Sequence, residues 1–380
     1  MKIQKEYWKE TLFGKVVDHV EITETNPEVR SKSRYVSVEH IETGTFKIEN
    51  WFDEEMPTFF RSFKPGQILF GKRRAYQRKV AIADFSGICS PHIWALNSKN
   101  GLIQDLLPFI MLTDKFYEYA NANSAGTMSV YLKWPQLSKY PFLLPPIEEQ
   151  KQIASLFQTI EATIEQIKVQ ETNLLNLQSS LIDGLLKKEP LFGNVLNSQN
   201  TRLINFGKIV DCIEEHDKTK KEISRFIGLE NIESGNFQIS TWGNISDGTT
   251  FTKRFNSEDV LFGKRRPYLK KVAVADFCGI CSGDILVFRA KKEAIIPELL
   301  PFYIASEAFI QHSIRTSAGS LSPRTKWKDL RKFEFSIPNL EAQAKVLKVL
   351  EQIQELMKQF RDQRKTLKSM KQNLLNKILG

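Results

Sequence analysis

LFGKRRAYQRKVAIADFSGICS, from Leu69 to Ser90, and LFGKRRPYLKKVAVADFCGICS, from Leu261 to Ser282, agree at 17 of 22 positions. Two of the five differences, Arg78/Lys270 and Ile82/Val274, keep the chemical character. Upstream, RYVSVEHIETGTFKIENW from Arg34 matches RFIGLENIESGNFQISTW from Arg225, and FGKVVD at Phe13 matches FGKIVD at Phe206. Downstream, LLPF recurs at Leu106 and Leu299, SAG at Ser124 and Ser317, and FLLPPIEEQ at Phe142 returns as FSIPNLEAQ at Phe335. The offset stays between 191 and 193 residues, so the chain is a tandem duplication.

Each copy has two phases. The first mixes short β-branched and aromatic runs with glycine-containing turns, and a helix is expected near Leu106 to Ala122. It reads as an α+β globular domain. The second phase has apolar residues spaced three, four and seven apart: Ile153, Leu156, Ile160, Ile167, Leu174, Leu177 and Leu181, with Thr163 and Gln170 filling the gaps. The second copy gives Val346, Val349, Ile353, Leu356, Phe360, Leu367, Met370 and Leu374, with Gln363 in place of Gln170. This is a coiled-coil pattern. A lone helix with one apolar stripe is unstable in water, so the two helices, each on the order of 60 Å long, are expected to pair, antiparallel if the halves are related by a two-fold axis. The expected boundaries are 1–146 for the first domain, 147–190 for the first helix, 191–339 for the second domain and 340–380 for the second helix.

The formal net charge of +10 favours a polyanionic partner. Its densest concentrations are Lys72, Arg73, Arg74 with Lys79, and Lys264, Arg265, Arg266 with Lys271; Tyr76 or Tyr268 stands among them. A glycine and an apolar strand-like run precede each cluster. Arginine can grip phosphate or read guanine through two hydrogen bonds, and lysine anchors phosphate as a point charge. The bland alternative is a solvated basic hairpin. SAGTMSVYLKW (Ser124 to Trp134) and SAGSLSPRTKW (Ser317 to Trp327) are a second candidate: Ser124, Thr127, Lys133, Ser317, Ser320 and Lys326 lie on a small-residue loop whose amides could meet phosphate. Trp51, Trp134, Trp242 and Trp327 are read as core residues.

Several chemistries find no support in the sequence. There is no phosphate-binding G-x-x-x-x-G-K-[ST] loop and no [DN]-P-P-[YF] tetrapeptide. Asp84 and Asp276 lack a nearby E-x-K partner, and the five histidines do not recur at equivalent positions. Cys278 and Cys281 form a lone C-x-x-C, short of the four ligands of a zinc site. The expectation is therefore no catalytic site, no metal and no bound cofactor. MKIQKEYWKE has no apolar segment, and no run approaches the roughly 18 residues of a membrane span; a cytoplasmic protein is expected.

Taken together, the duplicated order of domain and helix, the I/V-L-F-x-x-R-x-x-Y-x-x-K-V-A stretches at Ile68 to Ala81 and Val260 to Ala273, and PPIEEQ at Pro145 to Gln150 resemble the specificity subunits of type I restriction-modification systems. The resemblance implies that each globular half is a target-recognition domain reading one half of a split double-stranded DNA site. It implies that the helices form an antiparallel spacer. Two methyltransferase subunits, and restriction subunits where they exist, would bring S-adenosylmethionine, ATP and Mg2+. Members usually carry two dissimilar recognition domains, whereas these are close copies, so similar half-sites and a near-palindromic gapped target are expected. The competing readings are a protein-only scaffold and a self-sufficient methyltransferase or nuclease.

Overall fold

The computed structural model describes residues 5–52, 59–126, 130–187, 200–221 and 223–380. In the first half, Val17–Val20, Ile93–Ser98, Ile68–Gly71 and Val80–Ile82 form, in that order, an antiparallel sheet. Its counterpart in the second half runs Val210–Ile213, Ile285–Ala290, Val260–Gly263, Val272–Val274. Successive residues of a strand point to opposite faces. Ile68 and Phe70 therefore enter one core cluster and Leu69 another; Val260, Phe262 and Leu261 divide the same way. Burial on both faces explains why the sequence here is a continuous apolar run rather than an alternation.

A second sheet covers one of those faces. It comprises Ile22–Thr23, Arg61–Phe63, Gly87–Cys89 and Arg34–Val36 in the first half, the last pair being parallel. In the second half, Gly243–Asn244 joins Arg225–Ile227, Gly279–Cys281 and Lys253–Phe255 at the opposite edge. Isolated bridges Tyr35–Phe52 and His216–Lys253 mark the missing edge in each copy. Cys89 and Cys281 lie fully inside this sheet, and burial pushes both thiols up to about 12.

The other face is covered by helices. The single helix expected at Leu106 to Ala122 is two helices, Leu107–Ile110 and Asp114–Ala122. The break is local chemistry: the Thr113 hydroxyl accepts the Phe116 N–H at 3.3 Å and starts the second helix. Ser306 does the same for Phe309 at 3.2 Å.

The long helices span Ile147–Lys187 and Leu340–Leu379. The chain divides into two compact units, Met1–Ile167 with Asp362–Gly380, and Lys168–Arg361. Each unit thus holds one globular domain and half of each long helix. In the first, Ile153 and Phe157 share a core cluster with Leu375, Ile378 and Leu379, and Lys371 pairs with Glu161. In the second, Ile182 and Leu186 share a cluster with Val346 and Leu350. In both, early residues of one helix meet late residues of the other, so the pairing is antiparallel.

The seam departs from the sequence expectation by one residue at every second contact. Leu156, Leu177, Val349, Leu356 and Met370, expected inside, are 37%, 48%, 38%, 45% and 53% exposed. At the alternate contacts the buried positions are instead Phe157, Ile164, Glu171 and Gln178 on the first helix and Leu350, Met357 and Lys371 on the second. Both registers are heptads through Ile153 and Ile353. Hydrophobicity favoured the wrong one, because Gln178 and Lys371 are polar while their neighbours Leu177 and Met370 are not. Packing favours the other: the Phe157 ring packs tilted against Phe109, centroids 5.3 Å apart.

Candidate nucleic-acid interface

Strand Ile68–Gly71 ends at the lysine-arginine-arginine triplet, and the chain turns through Ala75–Gln77 before strand Val80–Ile82. A Cβ on Gly71 would lie 3.3 Å from Lys79 Cβ, and one on Gly263 would lie 3.0 Å from Leu229 Cδ2, so a side chain at either position would press on its neighbours. Arg74 and Arg78 adopt left-handed backbone with φ of 54° and 53°; Arg266 and Lys270 repeat this at 52° and 48°. Such conformations cost of order 1 kcal/mol or more for residues with a Cβ and concentrate at functional sites. Their presence in both copies shows that the turn is specified.

The structure brings the two sequence candidates together. Lys72 donates its N–H to His92 O at 2.9 Å and accepts from the Leu132 N–H at 2.9 Å; Arg74 donates to Val130 O at 2.8 Å. In the second half Lys264 bonds Asp284 O and the Thr325 N–H at 2.9 and 3.0 Å, and Arg266 bonds Pro323 O at 2.8 Å. The small-residue loop is a hairpin closed by Ala125–Tyr131 or Ala318–Arg324. It turns at Gly126 (φ 107°) or Gly319 (φ 109°), where a side chain would be strained. The result in each domain is a platform of three adjoining segments: the arginine turn, the hairpin, and the loop carrying His92 or Asp284.

The individual side chains divide into two groups. Arg74 and Arg266 are exposed and have no side-chain partner among the described residues; Tyr76 and Tyr268 are 56% and 51% exposed. Lys133, Lys326 and Ser320 are also exposed. Lys72 lies 5.4 Å from the Trp94 ring, and burial followed by the Arg61 charge lowers its pKa. Lys79 and Lys271 act inward: their ammonium groups donate to the carbonyls of Val38 at 2.7 Å and Leu229 at 2.5 Å. The Ser124 and Ser317 hydroxyls donate to Ala120 O and Ile314 O and finish the preceding helices. Thr127 lies outside the described residues. Trp134 and Trp327 are partly buried against the cores as expected. Trp242, by contrast, is 40% exposed, with the Arg225 guanidinium 4.1 Å from its ring.

Sequence reasoning passed over His92, Tyr131, Asp284 and Arg324. They occupy equivalent places on the two platforms but differ between copies, so comparison by identity did not find them. Arg324 donates Nε to Asp284 Oδ1 at 2.7 Å and Nη2 to Oδ2 at 3.2 Å. Arg265 donates Nε to the Ser322 hydroxyl at 2.7 Å and places Nη1 3.8 Å from Asp284. The Arg324 hydrogen bond holds the Asp284 carboxyl below its ordinary range. In the first half, Arg73 Nη1 is 3.5 Å from His92 Nε2, and burial, then the Arg73 and Lys72 charges, push the imidazole below its usual value. Among the described residues, no cluster of three or more potential metal ligands occurs and no helix is long and apolar enough to cross a membrane.

Comparison with known proteins fits this arrangement. Residues 54–177 and 205–366 match the family described as "Type I restriction modification DNA specificity domain". The type I restriction enzyme EcoDI specificity subunit of Escherichia coli is 29% identical over 157 residues, 40% of this chain and 35% of that protein. The MjaVIII specificity subunit of Methanocaldococcus jannaschii is 21% identical over 83% of this chain and 75% of its own length. The chain therefore spans about a third of one relative and three quarters of the other. Among solved structures, the type I restriction-modification S subunit from M. genitalium has a TM-score of 0.58 at 12% identity, covering 100% of this chain and 98% of that one. A chain from work on complex assembly and conformational transition of the type I R-M system has a TM-score of 0.57 at 17% identity, covering 98% and 97%. Two domain matches in tandem, carried on two paired helices, place this chain in the family of type I restriction-modification DNA specificity domains.

Proposed function

We propose that the chain is the recognition subunit of a type I restriction-modification complex: each domain reads one half of a split double-stranded DNA target, and the paired helices set the spacing. The observation that carries this reading is the repeated platform, with a strained, exposed arginine at the same turn in both copies. Cations presented on a rigid turn neutralise phosphates and release counterions, so affinity falls steeply with salt. Guanidinium groups on the same surface can reach base edges.

Catalysis is assigned to partners. Methyltransferase subunits dock on the assembly and bind S-adenosylmethionine; ATP and Mg2+ belong to restriction subunits where these exist. The chain itself positions DNA and performs no bond chemistry. Because the platforms are near copies, the two half-sites are alike and the target is near-palindromic.

The test is selection of duplexes from a randomised pool by the full-length chain together with the methyltransferase subunit of its host. The result anticipated is a gapped target with two similar halves. Selection of a single contiguous site, or of no sequence at all, would overturn the reading.

A further inference from the structure

The two platforms share their backbone bonds to the arginine turn, and among the positions at which they differ are two whose side chains can act on that turn. Where the first has His92 and Tyr131, the second has Asp284 and Arg324. The difference changes what each surface can donate. Arg324 uses its Nε–Nη2 edge on Asp284. A guanidinium has five N–H groups in one plane. With that edge occupied, the Nη1–Nη2 edge is held in a fixed direction, and its two parallel donors match guanine O6 and N7. The buttress also removes much of the side-chain entropy that an exposed arginine otherwise loses on binding. Asp284 also lies 3.8 Å from Arg265 Nη1, so the one carboxylate balances charge on two arginines.

Among the described residues, the first platform shows no carboxylate-buttressed arginine at the position of Arg324. Tyr131 is 40% exposed and presents an apolar ring with one hydroxyl, and His92 contacts Arg73 as an imidazole instead of a carboxylate. Neither residue can supply two parallel donors. The backbone bonds that hold the turn, from Lys72 and Arg74 or from Lys264 and Arg266, are the same in both.

We infer that Arg324, buttressed by Asp284, is a specificity-determining pair: the half-site read by the second domain requires a guanine that the half-site read by the first domain does not, and the target departs from a palindrome at that position. The inference rests on the proposed function and refines its account of the two half-sites.

The experiment is a parallel selection from randomised duplexes by the full-length chain with its methyltransferase subunit. It compares the wild type, His92→Asp/Tyr131→Arg, and the reverse exchange Asp284→His/Arg324→Tyr. The wild type should demand guanine at one position of one half-site only. The first double variant should acquire that demand in the other half-site. The reverse variant should lose it, with discrimination at that position falling roughly 5- to 150-fold, as expected for one bidentate pair. Identical half-sites in the wild type, or an unchanged pattern in both exchanges, overturns this inference while leaving the recognition function standing. A wild type that selects no sequence overturns both.

Discussion

Phe157 and Leu156 are neighbours on the first long helix, and the choice between them fixes the helix register. Phe157 is fully buried, its ring 5.3 Å from that of Phe109, whereas Leu156 is 37% exposed. Replacing a buried phenylalanine with alanine typically costs about 3–5 kcal/mol through lost transfer energy and the remaining cavity. Leu156→Ala removes three carbons, each contributing about 0.8 kcal/mol when fully buried. With partial burial and the slightly better helix propensity of alanine, its cost is about 1 kcal/mol. The gap of at least about 2 kcal/mol corresponds to roughly 30-fold in local opening. Amide hydrogen exchange along residues 153–161 of the intact chain reads this directly. Phe157→Ala should raise exchange there far more than Leu156→Ala. Equal effects, or a larger effect from Leu156→Ala, would return the seam to the register favoured by hydrophobicity and refute the packing described here.

Three other perturbations have defined outcomes. Lys371 is nearly buried against Glu161; Lys371→Ala should destabilise the chain by about 3 kcal/mol in urea unfolding, because it strands a carboxylate, while joint replacement of both residues by apolar ones should recover most of that. His19, His40 and His92 all have pKa values lowered chiefly by burial, and His40 Nδ1 accepts the Ser37 N–H at 3.0 Å. The unfolded chain then binds more protons than the folded one below the ordinary histidine value of 6.5, so stability should fall as pH drops through and below that value; His40→Gln should flatten the pH dependence of the melting temperature, and a stability that rises on acidification would contradict the assignment. Gly319→Ala places a side chain at φ 109°, with its Cβ 3.3 Å from Ser322 O; a stability loss of about 1–2 kcal/mol and weakened duplex binding are expected, checked by thermal denaturation and a salt titration.

The duplication made most of the fold legible. A strand buried on both faces appears in sequence as the runs ILF and VLF, and the glycine after each marks a position where neighbouring side chains leave little room. The helix break at Thr113 was less visible, since one hydroxyl cap outweighs a continuous apolar pattern. The seam register was hidden for an energetic reason: Lys371 and Glu161 satisfy each other, so a charged residue occupies a place that pattern reasoning reserves for leucine. At the candidate site, identity between copies located the arginine turn but also drew Lys79, Lys271, Ser124 and Ser317 into it. Their polar groups are bonded to the backbone of their own domain. Identity finds the frame that both domains share. His92, Tyr131, Asp284 and Arg324 lay where the copies disagree, and only the folded chain brought them together, Tyr131 and Arg324 through bridges to the turn and His92 and Asp284 through backbone bonds to it.

On the proposed function, each platform reads one half of a DNA target. Hydroxyl-radical footprinting of a selected duplex, bound by the full-length chain with its methyltransferase subunit, tests it most directly. In the variant with Lys72, Arg73 and Arg74 all replaced by alanine, protection over one half-site should disappear while protection over the other persists, and the matching change at Lys264, Arg265 and Arg266 should reverse the pattern. Undiminished protection of both halves in both variants would show that the arginine turns do not contact DNA.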